Sequence, residues 1–225
     1  MRRLAAAAGL TVFSRVTAGL PGMRPGHPSA RSRAVPARMG GAQGNALLTS
    51  LLGAVLLVLL AVEGATIPVI HRLLSLHVFV GVLLLGPVAL KLASTGYRFV
   101  RFYGRSAGYV RLGPPSSLMR FVVAPTLVAS TLVLFGSGVA LLALPQQGTV
   151  LTLHKASFLV WFGVMSIHVL SYAFPVGRRL VAEATRRVDG RGYRIALTLL
   201  AIVAGVVTAF AAYPLANPWL HGLER

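Results

Sequence analysis

Five long apolar runs, separated by short polar or basic segments, dominate the chain: about Ala46 to Ile67, Leu73 to Ala93, Phe121 to Leu144, Val150 to Phe174 and Ile195 to Tyr213. A helix rises about 1.5 Å per residue, so each run is long enough to cross about 30 Å of hydrocarbon. The pattern predicts an all-α, integral-membrane helical bundle of five transmembrane helices over residues 45–225. The links Glu63 to Pro68 and Pro145 to Thr149 are very short, so successive runs lie antiparallel. Residues 1–44 are rich in Arg, Ala, Pro and Gly, contain no acid and lack a long apolar core, which predicts a disordered tail. The opening twin arginine with LAAAAGL mimics an export signal, but the apolar stretch is short and Arg15 interrupts it. Met39, just ahead of the first run, offers an alternative start of translation.

Composition agrees with a lipid environment: 56% of the 225 residues are apolar, and the mean hydropathy is +0.75. The formal charge of +18 would suit nucleic acid if the cations were clustered. They lie instead in alternate gaps: seven arginines before the first run, five between the second and third (Arg98, Arg101, Arg105, Arg111, Arg120) and six between the fourth and fifth. Positive loops face the cytoplasm, so the N-terminus is expected inside and the C-terminus outside, and nucleic acid is not an expected partner. Twenty arginines against two lysines, with abundant Ala and Gly, point to a GC-rich genome and a bacterial plasma membrane. Absence of cysteine excludes disulfides, iron–sulfur clusters and thiolate metal sites. Four acids (Glu63, Glu183, Asp189, Glu224) are too few for a magnesium site or a paired-carboxylate hydrolase.

Between the second and third runs, Tyr97, Phe99, Phe102, Tyr103 and Tyr109 interleave with arginines. That mixture suits a headgroup-level collar, with rings anchored and Arg snorkelling. Farther on, residues 178–188 have helical character that stops at Asp189-Gly190.

The fourth run contains LTLHKASFLVWFGVMSIHVL, with His154 and His168 fourteen residues apart. On a helix that interval puts both imidazoles on one face to within about 40°, separated by about 21 Å along the axis. Ionisable groups inside a bilayer are costly and are kept for a partner or a function. Neutral imidazole is a good axial ligand for haem iron, and a six-coordinate haem between two helices takes one histidine from each. The second run travels in the same direction and carries His77, with Lys91 fourteen residues later. If His77 faces His154 at the outer level, Lys91 falls at the level of His168. His71 is the competitor for the outer site, but it lies about 120° from His77 on the helical wheel. Gly81, Gly136, Gly138 and Gly163 are small neighbours that a porphyrin between helices needs, and helix packing explains them equally well.

Over about Ala46 to Phe174 the chain resembles the four-helix membrane cytochrome b superfamily, which includes the cytochrome b subunits of formate dehydrogenase and nickel–iron hydrogenase and, more distantly, ferric reductases. His77, His154 and His168, with the fourteen-residue interval, carry the resemblance. It implies a four-helix haem-binding core in which two haems pass electrons across the membrane, and Lys91 departs from it where a fourth histidine would stand. The outer pair therefore gives one haem b, with the inner site open. Lys91 either snorkels to the headgroups, contacts a haem propionate or a quinone oxygen, or ligates an inner haem opposite His168. Arg72 and Lys155 lie where propionates would emerge, or are ordinary interfacial cations, and Glu63 is expected to pair with one of them. Trp161 lies between the fourth-run histidines on their face, suited to a place between haems or to ordinary packing.

No nucleotide-binding or flavin motif occurs, so the expected role is an electron-transfer subunit that exchanges electrons with a quinone pool or a partner oxidoreductase. The alternative is a cofactor-free transporter or assembly protein whose histidines conduct protons or bind a metal ion, with His77 and His154 sharing the ion. Oligomeric state is not encoded in any feature of the sequence.

Overall fold

The computed structural model describes residues 40–114, 116–144, 148–185 and 189–222. Among these residues every regular element is helical: α1 (Gly41–Thr66), α2 (Ile70–Tyr103), α3 (Ala107–Arg111), α4 (Ala124–Ala143), α5 (Gly148–Thr185), α6 (Arg191–Ala212) and α7 (Asn217–Gly222). A π-helical turn, Met119–Val123, leads into α4, and 3-10 turns precede α2 and α7. The expected tail lies almost wholly outside the described residues, but Gly41–Gly44 form the first turn of α1 rather than the end of that tail.

Four continuous stretches among the described residues are long and apolar enough to cross a membrane: Gly41–Tyr103, Met119–Ala143, Gly148–Val181 and Arg191–Leu220. Their outward faces carry large apolar side chains such as Leu159, Leu170, Phe174, Leu200 and Phe210, all more than half exposed. Water would penalise such a surface and lipid would not. The chain is a multi-pass membrane protein.

The first stretch, 63 residues, would extend about 95 Å if straight, three times the hydrocarbon thickness. It folds back instead at the 3-10 turn Ile67–Val69. At one end of this α1–α2 hairpin Thr66 meets His77; at the other Asn45 meets Ser94. The second contact is a buried polar network. Asn45 Nδ2 donates to the Ser94 carbonyl at 3.2 Å, Ser94 Oγ donates to Asn45 Oδ1 at 2.8 Å, and Thr49 Oγ1 lies 2.7 Å from Ser94 Oγ. Where no water competes, losing a partner leaves polar atoms unsatisfied. Asn45→Ala is therefore expected to destabilise the hairpin by about 1–2 kcal/mol, measured by thermal unfolding in detergent.

α2 packs along both α1 and α6, while α5 packs along α4. The α2–α6 contact follows from one proline. Pro87 has no N–H, so the Leu83 carbonyl loses its usual i+4 donor within the helix. Gly205 of α6 sits against that carbonyl: a Cβ there would collide with the Leu83 oxygen. Reciprocally, a Cβ on Gly86 would collide with the Ala201 carbonyl of α6. Two glycines thus bring the backbones together, where Cα–H groups face carbonyl oxygens.

The arginine-aromatic collar is partly helical and packs on itself. α2 runs ten residues beyond the expected end of its apolar run, to Tyr103. Arg120 lies over the rings of Phe102, Tyr103 and Phe121 and donates through Nε to the Tyr103 hydroxyl at 2.5 Å. Tyr97 and Tyr109 make an edge contact, with Arg101 over Tyr109. Burial raises the Tyr109 phenol above its ordinary range. The expected helix over 178–188 is the continuation of α5 through Pro175 as far as Thr185, and the chain turns at Asp189-Gly190, with Gly190 at φ 81°.

Candidate functional site

The hairpin turn and the start of α5 bring His77 and His154 together. Their ring centroids are 6.5 Å apart and the ring planes stand at 87°. The backbones of α2 and α5 share no extended packing face, so the two helices meet here through side chains.

Each ring is fixed from behind. His77 Nδ1 lies 2.9 Å from Glu63 Oε1 and 2.9 Å from Thr66 Oγ1. Thr66 has a single hydroxyl hydrogen, which goes to the Glu63 backbone carbonyl at 2.6 Å. The Thr66 oxygen and the Glu63 carboxylate therefore both accept from Nδ1–H. On the opposite ring, His154 Nδ1 lies 3.1 Å from the Leu134 carbonyl and 3.1 Å from Ser137 Oγ. A carbonyl only accepts, so His154 Nδ1 carries the hydrogen; Ser137 directs its own to Leu134 at 3.0 Å. Both imidazoles are thus held in the Nδ1–H tautomer, which leaves Nε2 as the lone-pair nitrogen of each ring.

Two glycines shape the space around these groups. A Cβ on Gly138 would lie 3.2 Å from His154 Cε1, and one on Gly81 would lie 3.3 Å from Glu63 Oε1. Gly136 and Gly163, also expected near a cofactor, face open space. Leu134, Ser137 and Gly138 fall at helical i, i+3 and i+4, which is why one face of α4 serves His154. Trp161, two turns along α5, is buried and donates to Thr131 Oγ1 at 3.0 Å. It is a packing residue of the α4–α5 contact.

Glu63 corrects an expectation. It bonds to His77 rather than to Arg72 or Lys155, both of which are exposed. His71 is exposed too, two residues before a kink at Leu73, and takes no part in the ring contact. None of His71, Arg72 and Lys155 joins the His77–His154 cluster.

At the other level, His168 has Tyr172 as its neighbour, with ring centroids 4.9 Å apart. Lys91 lies within electrostatic reach of His168 but donates through Nζ to the Thr49 carbonyl of α1 at 2.5 Å. Gly53 leaves room for that approach: a Cβ there would lie 3.2 Å from Nζ. Lys91 is tied to the α1 backbone, and α2 offers His168 no second imidazole.

Among the described residues no group of three or more His, Cys, Asp or Glu side chains is placed to hold a metal ion. His77, His154 and His168 therefore do not form one joint metal site. Two imidazole donors are too few for a bare zinc or copper ion, which takes about four ligands. They suffice for an iron whose equatorial positions a macrocycle already fills. A metal–imidazole bond is about 2 Å and the ring centre lies about 1 Å behind its nitrogen, so two imidazoles would hold one metal ion with their centres up to about 6 Å apart. The observed centroid separation of 6.5 Å lies close to that limit.

No family model, no curated protein and no solved structure matches the chain. Functional reasoning therefore rests on the residues themselves. Sequence reading located His77 and His154 but missed Thr66, Ser137 and Leu134. Ser137 and Thr66 had a legible signal as hydroxyl groups within or beside apolar runs on helices flanking the histidines, whereas the Leu134 contribution is a backbone carbonyl and leaves no trace in residue type.

Proposed function

We propose that the protein is a membrane-embedded b-type cytochrome, an electron-transfer subunit that exchanges electrons with a quinone pool or a partner oxidoreductase. The observation that carries this reading is the pair of facing imidazoles, each fixed as Nδ1–H by an acceptor behind it, which leaves Nε2 as the lone-pair nitrogen of each ring. His77 and His154 would hold one haem b, whose iron would supply reversible one-electron chemistry. The chain's own contribution is to orient both rings, fix their tautomers and surround them with apolar helices that limit water.

Counting α1 and α2 as separate crossings gives five spans, with His77 and His154 near one surface. The positive-inside distribution of arginine supports placing that surface outside and the N-terminus in the cytoplasm of a bacterial plasma membrane. A site held by His77 and His154 would open towards that outer surface, while at the inner level Lys91 is tied to the Thr49 carbonyl. Lys91, about 21 Å from the outer site along α2, is too distant to meet propionates there.

Reduced-minus-oxidised spectra of protein expressed with ample haem test the reading. A b-type α band is expected, with one haem per chain; a protein with no such band would overturn the reading. Lys91→Met is expected to keep one haem per chain and an unchanged band, because its amine bonds to Thr49. Two haems in the unsubstituted chain, falling to one in Lys91→Met, would make Lys91 a ligand.

A further inference from the structure

We infer that Glu63 is a positioning residue that sets the donor strength of His77, so that the two axial imidazoles are chemically unequal. The inference rests on the cytochrome reading and deepens it. His154 donates its Nδ1–H to neutral acceptors, the Leu134 carbonyl and Ser137 Oγ, both at 3.1 Å. His77 donates to a carboxylate oxygen at 2.9 Å, backed by Thr66 Oγ1 at the same distance. Hydrogen bonds to ionised acceptors are roughly twice as strong as neutral ones, and a carboxylate behind a ligating histidine raises its basicity. A more basic imidazole would favour the higher charge on a metal it held, so the oxidised state would persist to lower potential.

The surroundings of Glu63 are built for this bond. The carboxylate comes from the last turns of α1, where Thr66 bonds back to the Glu63 carbonyl at 2.6 Å and fixes that backbone beside His77. Gly81, one turn after His77, leaves space for Oε1. The other oxygen, Oε2, is buried with no hydrogen-bond partner among the described residues. No arginine or lysine makes an ion pair with Glu63 among the described residues.

Glu63→Gln tests this in the haem-loaded, full-length protein, since the amide retains an acceptor oxygen and loses the charge. At one fixed ambient potential near the wild-type midpoint, the ratio of reduced to oxidised haem is expected to rise at least tenfold, which is about 59 mV for one electron. Lys155→Ala, which removes an exposed cation that does not join the cluster, should stay within twofold. A Glu63→Gln protein with full haem and a ratio within twofold of wild type would overturn the assignment. If that variant yields no haem-loaded protein, His77→Gly supplied with free imidazole or 1-methylimidazole gives the second arm. Imidazole keeps an N–H for Glu63 and 1-methylimidazole has none, so the latter should be at least tenfold more reduced; equal ratios would overturn the assignment. Lack of haem in the unsubstituted protein would instead defeat the cytochrome reading, which separates the two failures.

Discussion

His154→Ala is expected to remove haem from the protein, lowering haem per chain at least about tenfold, since even loss of an outer-shell partner costs 10–100-fold in metal affinity. The ring is held by α4 through Leu134 and Ser137 and packs under Gly138. Alanine leaves a gap that no neighbouring imidazole fills, because His168 lies nearly four turns away on the same helix. His77→Ala should behave alike. Lys155→Ala, at the exposed next position, should retain full haem. The measurement is haem per chain by pyridine haemochrome, normalised to folded protein. Full haem in His154→Ala would show that the iron is held elsewhere.

The second large effect concerns stability. Gly205→Val is expected to cost about 3 kcal/mol or more, because added carbon on a tightly packed contact must be relieved by moving backbone. The obstacle is the Leu83 carbonyl, part of α2 itself, so no flexible side chain can give way. Unfolding in detergent should begin about 6–12 °C lower. Gly136→Val is the control, since a Cβ there meets nothing within 4 Å. An equal loss in both variants would mean that the α2–α6 contact is not special.

Much of the fold was legible because a bilayer permits few solutions: with no water to satisfy the backbone, long apolar runs become helices. The apolar runs are helical almost throughout, in α1, α2, the π turn with α4, α5 and α6, and they make up four continuous membrane-length stretches among the described residues. What the runs did not disclose is where helices stop. α2 continues ten residues past Ala93 because Arg98 and Arg101 snorkel from a helix as readily as from a loop. Nor did they disclose which helices touch. Gly86 and Gly205 are single glycines in apolar stretches, and only the missing donor at Pro87 hints that a carbonyl four residues earlier needs another neighbour.

For the site, the fourteen-residue interval and the parallel course of α2 and α5 were enough to pair His77 with His154. The Glu63 partner was misjudged because charge alone favours Arg72 or Lys155, whereas the turn at Ile67–Val69 folds α1 onto α2 and places the carboxylate behind His77. Lys91 was left open by sequence because its stem allows several destinations. The destination it takes, the Thr49 carbonyl, depends on Gly53 of another helix.

Ring orientation gives the sharpest test of iron between the two helices. His77 and His154 stand at 87°, and an iron held by two imidazoles at nearly a right angle would have almost degenerate d-orbitals in its low-spin ferric state. Low-temperature electron paramagnetic resonance of the oxidised, full-length protein should therefore show a highly anisotropic low-spin signal, integrating to one haem per chain. A high-spin ferric signal would mean that one imidazole is not a ligand, and oxidised protein without a haem signal would contradict the account altogether.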